Sequence, residues 1–167
     1  MGVKQQVLFY ERQFMPAWSL WLVAFVGLVI PGFILFTNPM PALMIFLLVI
    51  LMIVFALFAT MQTRVTEQHL LITFGLLPLI AFRYDLDDIL SFEARTYHPM
   101  KEYGGWGIKG SKQNRALSMQ GNEGVQLEMR SKEGGTWKLL IGSQVAEKLE
   151  ATIRDAKQQQ VSQISTT

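Results

Sequence analysis

Between Arg12 and Arg64 the chain carries no Lys, Arg, Asp or Glu, and this uncharged run is cut once, by Thr37, Asn38, Pro39 and Pro41. Few soluble arrangements accommodate such a run. Residues 16–36 and 42–60 are each about 20 residues long, so at about 1.5 Å per residue each reaches across a hydrocarbon core of roughly 30 Å. The reading is a transmembrane hairpin, with residues 1–61 as its N-terminal segment and two helices. Its short uncharged connection faces one side, while Lys4, Arg12, Arg64 and Arg83 lie on the other. The positive-inside rule then predicts both termini in the cytoplasm, and Trp18 and Trp21 suit an interface at the start of the first helix.

A signal peptide is the competing reading, with Lys4 and Arg12 ahead of the apolar run Leu20 to Ile30. It lacks a small-x-small cleavage site and is followed by a second hydrophobic segment, which favours the hairpin. Pro31 predicts a kink, and Gly27 and Gly32 nearby allow a close helix contact. The spans hold no ionisable residue, which argues against ion transport or proton relay.

Beyond residue 61 the composition becomes ordinary, and the formal charge of +2 divides as +1 there and +1 in the first twelve residues. That is too little for a nucleic-acid-binding face. With no cysteine in the chain, disulfides, Cys-ligated metals and a thiol nucleophile are excluded.

The hydrophobic period then changes to two. Leu70, Ile72 and Phe74, then Val125, Leu127 and Met129, then Trp137, Leu139 and Ile141 alternate with their neighbours. With the intervening turn signals, this predicts seven antiparallel strands, near 62–66, 69–75, 79–85, 89–97, 113–120, 124–130 and 135–141. Ser143 is a plausible N-cap for an amphipathic helix over 144–158, whose stripe is Val145, Leu149, Ile153 and Ala156. Residues 62–158 thus form one mainly-β domain capped by a C-terminal helix, and 159–167 read as a disordered tail.

Three segments carry a resemblance. Tyr103-Gly104-Gly105-Trp106-Gly107-Ile108-Lys109, Gly121-x-x-Gly124-Val125-x-Leu127 and Leu140-Ile141-Gly142-Ser143 are similar to the bacterial pleckstrin-homology-like membrane proteins with an N-terminal two-helix hairpin. Phe9-Tyr10-Glu11-Arg12-Gln13-Phe14 resembles their juxtamembrane stretch. The resemblance implies a PH-like barrel behind a transmembrane hairpin in the bacterial inner membrane, and says little about activity. Lys109 departs from it, standing where Arg is expected and losing bidentate geometry.

The candidate site is the irregular segment from His98 to Gln113. Lys101, Tyr103, Gly104, Gly105, Trp106, Gly107, Lys109 and Lys112, with Arg115 just beyond, could hold an anionic headgroup or an acidic partner. The alternative is structural: Trp106 and Ile108 tuck under the barrel and the lysines are a solvated face. Gly105-x-Gly107-x-x-Gly110 lacks the strand–turn–helix context of a dinucleotide site, and the nearby Gly-Ser-Lys is in the wrong order for a P-loop. Asp85, Asp87 and Asp88 lack the EF-hand spacing, and His69 and His98 lack ligand partners. No nucleophile sits beside a base. The sequence therefore predicts a non-catalytic module without cofactor or metal, whose partners are the lipid bilayer, a membrane protein or a second copy. A lipid or anionic-ligand sensor, or a structural subunit of a larger membrane complex, are the alternatives.

Overall fold

A computed structural model describes residues 6–19, 21, 25–27, 29, 32–33, 41–132 and 134–164. Its nine described strands form two sheets. Strands β1 (Val7–Phe14), β2 (Thr60–Thr66), β3 (His69–Phe74) and β4 (Ile80–Asp85) pair antiparallel in that order. Strands β5 (Ile89–Thr96), β6 (Gly107–Gly110), β7 (Asn114–Ser118), β8 (Glu123–Arg130) and β9 (Thr136–Gly142) make the second sheet, in the order β5-β8-β9-β7-β6. Within it only β7 and β9 run parallel. Helix α1 spans Pro41–Phe58 and helix α2 spans Ala146–Ile164.

The fold corrects the expected transmembrane hairpin. Among the described residues no helix is long and apolar enough to cross a membrane. Much of the predicted first span lies outside the described residues; those described from 17 to 19, at 21, from 25 to 27, at 29 and at 32 and 33 are helical. The second span is shorter than predicted, because α1 has 18 residues, about 27 Å at 1.5 Å each. It stops early because Thr60 already belongs to β2. Gly75 N donates to Thr60 O at 2.8 Å, and the Thr60 hydroxyl donates back to Gly75 O at 2.7 Å. The finding does not support the membrane-protein class, nor a multi-pass inner-membrane location with cytoplasmic termini.

The single seven-stranded barrel is also replaced, by two sheets and two further strands. β1 escaped prediction because its inward positions, Phe9 and Gln13, mix one apolar with one polar side chain, and a bulge interrupts its register near Val7. β6 is only four residues between glycines. The closing element is an α-helix, as the stripe predicts: Leu149, Ile153 and Ala156 are buried, while Val145 stays exposed. α2 continues past the predicted end at 158 to Ile164.

The core lies between the two sheets and α2. Leu70, Ile72, Phe74, Leu127, Leu139 and Ile141 meet Leu149 and Ile153 there. Fully burying each such side chain is worth about 1.5–3 kcal/mol, so this cluster is the main source of stability. β1 is tied to the start of α2 by polar contacts. The Glu11 carboxylate accepts from Ser143 Oγ at 2.6 Å and Gln144 N at 2.8 Å, and Gln13 Nε2 donates to Gly142 O at 2.9 Å.

The helical insertion leaves and re-enters the first sheet at one point. Phe14 ends β1 opposite Thr60, which starts β2, and Met15 N donates to Ala59 O at 3.0 Å. Gly27 packs closely on α1, where a Cβ would stand 3.2 Å from Leu51 Cδ2, in line with the predicted close contact; a Cβ at Gly32 would meet nothing within 4 Å among the described residues.

Candidate functional site

The segment expected to carry function is ordered by its own backbone. After β5 the chain enters a single π-helical turn, Pro99–Tyr103, with Pro99 in its first turn, where a missing N–H costs nothing. The Glu102 carboxylate reaches back to accept from His98 N at 2.7 Å and pairs with Arg95 at 2.7 Å. These contacts, Arg95 first, hold the Glu102 carboxyl below its usual range. Gly104 and Gly105 turn the chain, and Gly107 starts β6 at the sheet edge.

Trp106 is fixed between them. Its Nε1–H donates to Gly121 O at 2.8 Å, which holds the indole plane against the cleft beside β6. That cleft, of about 490 Å³, opens where the helical insertion joins the sheets. Met15, Trp18 and Phe58 come from the insertion's two ends, Phe74 and Met119 from the domain, and Trp106 to Lys109 from the predicted segment. Phe74 and Met119 are buried, and Lys109 is exposed.

The predicted site residues therefore divide. Trp106, Gly107 and Lys109 share the cleft. Tyr103 goes elsewhere: its ring stacks edge-on against Tyr97 at 6.1 Å, and its hydroxyl donates to Asn114 Oδ1 at 3.3 Å. Burial raises the Tyr103 pKa, opposed by the neighbouring Arg95 charge. Lys101 is exposed on the π-helical turn and Lys112 on the turn between β6 and β7. Arg115 is carried away by strand alternation: Lys109 pairs with Ala116, so Arg115 points to the opposite face, where its guanidinium lies 5.6 Å over the Phe82 ring. The four cations thus do not converge.

Sequence reasoning missed Met15, Phe58, Phe74 and Met119. Trp18 was visible as an interface residue, but its meeting with Trp106 depends on β1 and β2 being neighbours. The remaining polar cluster is structural, joining Arg95, Glu102, Tyr103 and Gln126, with Arg95 Nη2 donating to Gln126 Oε1 at 3.0 Å. Among the described residues no group of three or more His, Asp or Glu side chains is placed to hold a metal ion.

Fold and site together define a mainly-β, two-sheet domain with an apolar helical insertion and a cleft at its root. Compared with protein-family models, with characterised proteins and with solved structures, the chain finds no match, and nothing there bears on the pleckstrin-homology-like resemblance.

Proposed function

We propose that this chain is a non-catalytic interaction module whose helical insertion is the contact surface. The observation that carries the reading is the apolar surface of that insertion. Trp21, Phe25, Ile45, Phe46 and Met52 are each between 60 and 77% exposed. Contiguous apolar surface of this kind is costly in water and marks a surface that a partner covers. The partner is a second copy of this chain or a protein with an apolar face of its own. The sheets act as a rigid base, because the insertion is held at both ends by β1 and β2. A photo-activatable residue at Phe46 in the full chain, expressed in cells, tests this. A discrete adduct of constant mass is expected, at twice the chain mass for self-association. Illumination yielding only uncrosslinked chain would overturn the reading.

A further inference from the structure

The cleft at the root of the insertion has a polarity that points to one ligand chemistry, independently of any protein partner. Its volume of about 490 Å³ falls within the usual range of small-ligand sites, roughly 300–1,000 Å³. The floor, Phe74 and Met119, is apolar and buried. Two polar groups of the walls are already engaged: Trp106 Nε1 donates to Gly121 O, and Ser19 Oγ donates to Pro16 O at 2.6 Å. Lys109 is the one charged residue lining the cleft, it is exposed, and among the described residues it has no ion-pair partner.

We propose that this cleft binds a long-chain carboxylate, with the chain against the Trp106, Ile108 and Phe58 walls and the head on the Lys109 ammonium. A cationic head would be repelled by Lys109. A doubly charged phosphate would be left half-neutralised, since Arg115 is turned to the other face of its strand pair. A single negative charge at the end of an apolar chain matches one ammonium at the mouth of an apolar cleft.

The test uses quenching of tryptophan fluorescence in the full chain by dodecanoate brominated along its chain, since Trp18 and Trp106 both line the cleft. Saturable quenching is expected, weakened about tenfold by Lys109→Glu and unchanged by Lys112→Glu, a lysine outside the cleft. Ile108→Phe, which fills the cleft without touching its charge, should abolish saturation, and far-UV circular dichroism confirms that each variant is folded. The equally brominated dodecanol is expected to bind at least tenfold more weakly. Equal binding of the alcohol, or equal loss in the two lysine variants, would overturn the proposal. So would brominated anionic phospholipid vesicles that quench more strongly than the free carboxylate, since the ligand would then be a lipid headgroup.

Discussion

Gly110 and Gly104 show how differently two glycines of one segment are used. Gly110 has φ +88°, and a Cβ there would stand 2.1 Å from Asn114 O, backbone that cannot move without breaking the β6–β7 turn. Gly104 has φ +73°, but a Cβ would meet nothing within 4 Å. Gly110→Ala should therefore destabilise the domain by about 3 kcal/mol or more, and Gly104→Ala by about 1 kcal/mol, in urea denaturation. Glu102 gives a pH signature at the same scale. Its folded pKa lies below the ordinary carboxylate value, owing first to Arg95 and then to the His98 N–H. The resulting stabilisation is complete above the ordinary carboxylate range and fades as pH falls through the folded value. Because the pair is partly exposed and screened, Glu102→Gln should cost about 0.5 kcal/mol at pH 7 and progressively less as pH falls through the folded value.

At the scale of elements, the join between β1 and α2 is the part that no local pattern announces. Ser143 was legible as a cap, and its Oγ does accept from Val145 N at 3.1 Å. The second cap, Glu11, comes from 132 residues away. Glu11→Ala should cost about 2 kcal/mol, because it removes a charged acceptor from three donors at once, Ser143 Oγ, Gln144 N and Gln13 Nε2. Hydrogen exchange should locate the loss at Gln144 N and along β1. Helix α2 was legible because its stripe repeats at helical spacing, and the buried and exposed members of that stripe should separate cleanly. Ile153→Ala should cost about 3 kcal/mol, whereas Val145→Ala should stay within about 0.5 kcal/mol, both in thermal or urea unfolding. Strands β3, β8 and β9 were legible for the same reason, their period-2 alternation. β1 and β6 were hidden because a buried Gln13 and flanking glycines erase that alternation.

For the whole molecule, the decisive fact is that β1 and β2 are sheet neighbours although residues 15–59 lie between them. Closing so long a loop is unfavourable, but the cost grows only slowly with length, and the paired strands and Met15–Ala59 contact offset it. The closure brings both ends of the insertion to the β6 edge and so creates the cleft. Phe46→Ser combined with Met52→Ser should leave the unfolding free energy from urea denaturation within about 0.5 kcal/mol, since both side chains are exposed. The same variant should reduce self-association measured by light scattering.

By itself the sequence determined what is local: an uncharged apolar run, alternating strands, one amphipathic helix and a Gly-Trp segment worth inspecting. Those features follow from side-chain periodicity and composition, which act over a few residues. Only the tertiary structure decided that the strands form two sheets, that the run gives way to strand β2 at Thr60 with no helix among the described residues long and apolar enough to cross a membrane, that Glu11 caps α2, and that Trp106 and Lys109 meet the insertion while Arg115 turns away. Each of these depends on pairing between distant segments, and the free energy of such pairing resides in contacts that no short window of sequence contains.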